Sequence, residues 1–342
     1  MPQRAPLSTL RFRLWLATAV AALVALIVWS ISVGRFPVEA SDVVQALLGV
    51  AMGTESGLAK NLEAVILQVR GPRVVAAVAV GAALAAAGAA YQNLFKNPLV
   101  SPDILGVSAG CALGAGVAIL LSLPILAIQG LAFIGGVTAA ALVVAVGTWV
   151  GKRDPMLTLI LTGVVVGSLL SAGVALVKYV ADPYNQLPAI TFWLLGSFGG
   201  VVPGDLAVTL PLLAIGVAPL VLLRWRIDLL SLSDDEARSL GVDIAKLRLV
   251  VIGCATLVSA SAVALAGVIG WVGLVIPHAA RLLVGASFAR VLPLSLVLGA
   301  SFMLAVDTLC RTVVATEIPP GVLTAFVGTP VFIGLLAATL RK

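Results

Sequence analysis

Two groups of ionisable residues interrupt an otherwise apolar chain, and their types decide what chemistry is open to it. The first is RGPR, with Arg70 and Arg73 bracketing a Gly-Pro pair directly ahead of about twenty residues of Ala, Val, Gly and Leu. Arg311, with Asp307 four residues before it, belongs with them by position at a span end. Guanidinium forks pair bidentately with carboxylates, so this group suits ionic recognition. The second is the polar run IDLLSLSDDEARSLGVDIAKLR, residues 227–248. Ser233 followed by Glu236 forms a capping box, Gly241 can close a helix in the left-handed conformation, and Asp243 can cap the next one. A short helix over about 234–240 is predicted, carrying Asp234, Asp235, Glu236, Ala237, Arg238, Ser239 and Leu240. Either an ordered loop or a docking helix for a partner fits that pattern.

Catalytic chemistry has little to work with. GTWVGKR, 147–153, has one residue too few between its glycines for a phosphate loop, and Arg where Ser or Thr should follow Lys. It reads as a span end with two cations, so no ATP site is expected in this chain. No nucleophile elbow, carboxylate pair or histidine cluster is present in the sequence. Cys111, Cys254 and Cys310 are far apart and odd in number, which fits packing residues better than a disulfide framework or metal site. His278 is the single histidine. The expectation is therefore a non-enzyme that binds no cofactor or metal.

The elements that must position these residues follow from composition. Of 342 residues, 61% are hydrophobic and 11% charged, against about 25% charged in soluble domains. Long uninterrupted apolar runs exclude a β-barrel. With about 20 residues needed per span, one all-α polytopic membrane domain over 1–342 is predicted, with ten helices near 14–33, 71–91, 103–122, 127–150, 156–178, 205–224, 247–267, 269–286, 291–311 and 321–340. The first run reads as a retained span, being longer than a signal-peptide core and lacking a cleavage site. Gly71 and Pro72 are read as the turn into the second span, and Asp103 as a cap for the third. The polar Ser168 and Ser171 of the fifth span either line a pathway or bond along their own helix.

Placing the N-terminus inside puts fifteen of the 21 lysines and arginines on the cytoplasmic side, as the positive-inside rule requires. Both termini are then cytoplasmic, and RGPR faces outward. The formal charge of +6 is explained by this topology, with no nucleic-acid partner. A partial repeat at an offset of 179 residues (Gly88/Gly267, Pro98/Pro277, Gly106/Gly285, Ser108/Ser287) spans five crossings, so its copies are inverted, a transporter device. Small-residue ridges at Gly106, Gly110 and Gly114, and at Gly163 and Gly167, suit close helix packing.

KNPLVSPDILGVSAG at 96–110, EARSLGV at 236–242, GVIGWVGLVIPHAAR at 267–281 and EIPPGVLTAFVGTPVF at 317–332 resemble the FecCD-type permeases of ABC importers. The resemblance covers essentially the whole chain. It implies a ten-span permease in the bacterial inner membrane, paired with a second copy as a homodimer. Two cytoplasmic ATPase subunits, which bind ATP and Mg, and a periplasmic substrate-binding protein would complete the complex. The cargo would be a metal chelate, with a ferric siderophore first and haem, cobalamin or an oxyanion as alternatives. Ser233–Leu247 would be the ATPase coupling segment, Arg70, Arg73 and Arg311 would meet acidic residues of the binding protein, and the gate would align with Met156 and Leu157. Those two are apolar where one branch of the family has small hydroxyls. Interfacial anchoring is the plainer role for the arginines. A secondary transporter coupled to an ion gradient is the rival of a different class, for which Asp307 is the clear buried acid.

Overall fold

A computed structural model describes residues 9–34, 36–54, 56–151, 155–314 and 316–340. Fourteen α-helices and no strand occur among them. They are α1 Thr9–Ser32, α2 Ala40–Met52, α3 Lys60–Leu94, α4 Val107–Leu120, α5 Ile125–Val150, α6 Pro155–Val180, α7 Gln186–Leu195, α8 Pro203–Leu222, α9 Arg224–Asp228, α10 Asp234–Ser239, α11 Ile244–Ala266, α12 Val272–Val284, α13 Phe288–Thr312 and α14 Pro320–Leu340. Seven (α1, α3, α5, α6, α8, α11 and α13) are long and apolar enough to cross a bilayer. With the shorter α4, α12 and α14 they account for the ten expected spans. The amphipathic α2 and the short α7 lie outside the ten expected spans, because each is too brief to stand out in a chain this apolar.

The centre of the bundle is α3. Its stretch VVAAVAVGAALAAAGAA is small and apolar on every side, the signature of a helix with no exposed face, and nearly all of it is buried. It packs most extensively on α13 and α11, then α12, α8 and α1. Water drives no association between helices in lipid, so contact quality decides, and small residues improve it by letting backbones close. A Cβ placed on Gly81 would strike the carbonyl of Gly299, and the reverse is also true; one on Gly88 would strike Gly273. Gly110 and Gly135 lock α4 to α5 in the same way, and Gly114 meets Leu131. The glycine ridges read from the sequence are therefore packing seams, with Gly106 set against Gly167 of α6.

The repeat is one of elements. α3 packs on α12 and α13 as α11 packs on α4 and α5, and α6 joins α4 and α5 as α14 joins α12 and α13. Five crossings separate the two sets, so they run in opposite senses. The residue matches at offset 179 do not mark equivalent places: Gly88 lies inside α3, whereas Gly267 follows the end of α11.

Three boundaries differ from expectation. Gly71–Pro72 is no turn: α3 runs continuously from Lys60, with a π-helical stretch at Val65–Arg70 where the Gly71 N–H reaches the Ile66 carbonyl. Pro72 has no N–H and its ring crowds the carbonyl four residues back, and a π turn absorbs that mismatch without breaking the helix. The third span begins with a 3-10 turn, Pro102–Leu105, ahead of α4. Asp103 does not cap α4; its carboxylate accepts from the Ser108 hydroxyl. The eighth span shortens to α12, since Gly267 and Trp271 adopt positive φ (73° and 71°). Gly328 leaves room for the Trp271 ring, which meets Phe332 edge-on at 6.3 Å.

The seams give a clean contrast. Gly88→Val should lower stability by roughly 1–3 kcal/mol or more, the cost of overpacking, read as a drop in melting temperature in detergent. Gly253→Ala, at a glycine with open space around it, should leave melting unchanged or slightly raised.

Candidate functional site

The ionisable residues gather at opposite ends of the bundle. At one end stand the C-termini of α1 and α13 and the start of α14. The last carbonyls of any helix lack intrahelical partners and attract cations. Arg70 serves those of α1, donating to Ile31 O (2.6 Å) and Ser32 O (3.2 Å), and reaches Phe36 O at 2.7 Å. Its guanidinium lies against Gly34, where any side chain would collide with it. Arg311 closes the same helix end from the other side, donating to Val33 O at 2.5 Å and to the carbonyl and hydroxyl of Ser30. Ser30 also shares a 2.8 Å hydrogen bond with Thr308. Two of the three arginines thus clamp α1 to α3 and α13.

Arg73 faces carboxylates instead. Its Nε lies 3.0 and 3.1 Å from the two oxygens of Asp307, and Nη1 and Nη2 each donate to Glu317 at 3.0 Å. Asp307 is fully buried; the Glu317 side chain is half exposed. Burying a carboxylate is costly unless it is paired and hydrogen-bonded, and Arg73 meets that need. Arg311 stands farther off, at 3.7 Å from Asp307, so the pairing expected within α13 is secondary to one across helices. Nothing local marks the Arg73–Asp307 pair in sequence, because 234 residues separate its members. Glu317 lies in the EIPPGV stretch, where no local pattern marks it as a partner of Arg73.

At the other end is the polar segment. Its helix, α10, ends at Ser239, one residue earlier than expected. The capping box forms as read: Glu236 N–H donates to Ser233 Oγ (3.3 Å), and Ser233 N–H donates to Glu236 Oε2 (2.9 Å). Gly241 is left-handed, with φ 78°. Asp243 accepts from Lys246 N–H at 3.1 Å to cap α11. Ala237 is the buried face, while Asp235, Glu236, Arg238, Ser239 and Leu240 are exposed. Asp234 is tied to Arg248 of α11 at 2.8 Å.

Sequence reasoning missed three struts behind this helix. Asn93 and Lys96, at the end of α3, donate to Ile227 O (2.7 Å) and Leu232 O (2.5 Å). Asp228 accepts from Ser287 Oγ (2.6 Å) and Phe288 N–H (2.5 Å), capping α13 from outside its own chain segment. The partners of Asp228 lie some 60 residues away, beyond any local pattern. These contacts fix the residues leading into α10 to α3 and α13, while α10 itself is tied to α11 through Asp234 and Arg248.

The remaining candidates separate. Met156 and Leu157 start α6 at one level, and Ser168 and Ser171 lie about 18 Å further along that helix at 1.5 Å per residue. Ser168 and Ser171 line a groove of about 500 Å³ with Asp103, Gly163 and Gly167. Ser168 also donates to Val164 O of its own helix at 2.8 Å, the bonding along the helix that was one of its two expected roles. His278 is buried, edge-on to Phe332 at 6.2 Å. Cys111 and Cys310 are buried, Cys254 half-buried, and all three are free thiols. Among the described residues, no three or more His, Cys, Asp or Glu side chains converge as metal ligands would.

The model of the FecCD transport family matches residues 22–338. An iron chelatin transport system permease of Helicobacter pylori is 42% identical over 279 residues, 82% of this chain and 84% of that one. The molybdate import permease MolB of Haemophilus influenzae is 38% identical over 313 residues, 92% of each chain. A solved metal-chelate type ABC transporter in an inward-facing conformation superposes with a TM-score of 0.85 at 36% identity, covering 94% of this chain and 98% of that one. The chain belongs to the FecCD transport family. It is a multi-pass membrane protein and the permease of an ABC transporter.

Asp307→Asn should cost on the order of 3 kcal/mol, the cost of breaking a buried ion pair, whereas Arg73→Met with Asp307→Leu should recover much of it; thermal unfolding in detergent reads both. At the polar end, hydrogen bonds from the Ser233 hydroxyl and backbone hold the Glu236 carboxyl below its ordinary 4.5. The Lys246 N–H does the same for Asp243, below 3.8. A carboxyl lowered in the folded state stabilises fully above its ordinary value and loses that contribution as pH falls through the lowered one. Amide exchange across 234–246 should therefore be insensitive to pH-linked opening from 7 to 5 and loosen below about 4, corrected for intrinsic rates. Ser233→Ala should speed it roughly fivefold at pH 7, the size of an ordinary cap.

Proposed function

We propose that this chain forms half of the membrane pathway of an importer for a ferric chelate, paired with a second copy of itself. The polar end faces the cytoplasm with both chain termini, and the arginine end faces the periplasm, in the bacterial inner membrane. Two ATPase subunits bind ATP and Mg and seat α10, with Asp235, Glu236, Arg238 and Leu240 outermost. A binding protein delivers cargo at the arginine end. One observation carries the reading: the residues leading into α10 are tied to α3 and α13, α10 itself is tied to α11, and α3 and α13 carry the arginine cluster toward their other ends. A push on α10 therefore has a stiff route to the other end, a hinge-type transition.

Within the cluster, Arg73 is the member set to meet a partner's carboxylate, because Arg70 and Arg311 are committed to α1. Exposed ion pairs contribute about 0–1 kcal/mol each, so docking here sets orientation and association rate more than affinity. The groove at Ser168 and Ser171 is the proposed pathway wall, and Met156 and Leu157 its gate. Asp307, the acid on which an ion-coupled mechanism would depend, is held by Arg73. Iron as cargo is supported by the Helicobacter relative; molybdate is the second reading, supported by the Haemophilus relative's fuller coverage.

Arg73→Met with Asp307→Leu, which removes the fork without leaving a buried carboxylate unpaired, should abolish stimulation of ATP hydrolysis by the binding protein in the reconstituted complex, with assembly intact; retained stimulation would remove the docking role. Arg70→Glu is the poorer test, since it would also free the end of α1. Uptake of radiolabelled ferric chelate against molybdate, in vesicles carrying the full complex, decides the cargo.

A further inference from the structure

We propose that Glu317 is an internal stand-in for the docking partner's carboxylate, occupying Arg73 until an acidic residue of the binding protein displaces it. The inference rests on the docking reading above. Arg73 presents two edges. The Nε edge is fixed on Asp307, which is wholly buried within α13. The outer edge, Nη1 and Nη2, takes the two oxygens of Glu317 at 3.0 Å each. That parallel two-point arrangement is the one any carboxylate adopts on a guanidinium, so an incoming glutamate or aspartate must compete for the same two N–H groups.

Three features favour exchange over a permanent bond. The Glu317 side chain is 50% exposed, against 0% for Asp307. The residue beside the pair is Gly199, where a Cβ would already touch it at 3.4 Å from Glu317 Oε2 and 3.6 Å from Arg73 Nη1, so the missing side chain leaves that flank uncovered. The cluster also holds three arginines against two carboxylates, so withdrawing Glu317 leaves it more positive and more attractive to an acidic surface. Replacing one half-exposed bidentate pair by another is nearly balanced in free energy, as reversible docking requires.

Displacement also has a mechanical consequence. Glu317 precedes Ile318, whose N–H is held by Cys310 O at 3.1 Å, and Pro319–Pro320 lead directly into α14. Two consecutive prolines restrict the backbone there. A move of Glu317 is therefore felt at the start of α14, which packs on α12 and α13.

The test uses the full complex in nanodiscs with its cognate binding protein. Glu317→Gln should bind that protein roughly threefold to fivefold more tightly, the size of one exposed ion pair removed from the competition. It should also reach half-maximal ATPase stimulation at correspondingly less binding protein. Glu317→Ala should shift both in the same direction, and serves if the glutamine variant assembles poorly. Unchanged or weaker binding by these variants, with Arg73→Gln still defective, would overturn the stand-in role and leave the docking reading intact. Unchanged binding by Arg73→Gln would remove both.

Discussion

The arrangement depends on how closely α3 lets its neighbours approach. Lipid offers apolar side chains the same environment as a protein interior, so a membrane bundle holds together through packing and a few polar contacts. At Gly81–Gly299 and Gly88–Gly273 the backbones of α3, α12 and α13 come so near that no side chain fits between them. Everything functional is placed relative to that seam. α3 and α13 carry the arginine cluster on one side and the braces ahead of α10 on the other, so the tightest part of the molecule joins the two ends.

The arginines show how one local pattern serves two purposes. Arg70 and Arg311 neutralise the open end of α1, a task set by unpaired carbonyls that cannot reach water easily at a helix terminus. Arg73, three residues on and past the π-helical stretch, turns to carboxylates. The widened turn at Val65–Arg70 is what Pro72 imposes on a continuous helix, and it separates the clamp residue from the pairing residue. Charge at this threshold is therefore tolerated because it is spent on helix ends and on Asp307, and the part left near the surface is one fork with one exchangeable partner.

The opposite end is built differently. α10 is too short to be stable alone, yet it has a cap at each end and three struts beneath it. Those struts tie the residues just before it to α3 and α13, and Asp234 ties the helix itself to α11, so the segment most exposed to a partner is also firmly connected to the core. Family membership is secure across the chain, while relatives of similar identity are named for iron chelates and for molybdate.

What the sequence by itself determined is local or periodic. Apolar runs, Gly spacing and the charge bias set the ten spans and the packing ridges. The run from Ser233 to Asp243 set α10 and its caps, because capping involves residues three or four apart. Tertiary structure alone decided the rest, since it depends on contacts across the chain. Pairing Arg73 with Asp307 and Glu317, committing Arg70 and Arg311 to α1, and bracing α10 through Asp228, Asn93 and Lys96 join residues tens to hundreds of positions apart. A charged residue in an apolar chain must find a partner, but its sequence neighbours do not say which one; only the packing that brings helix ends together does.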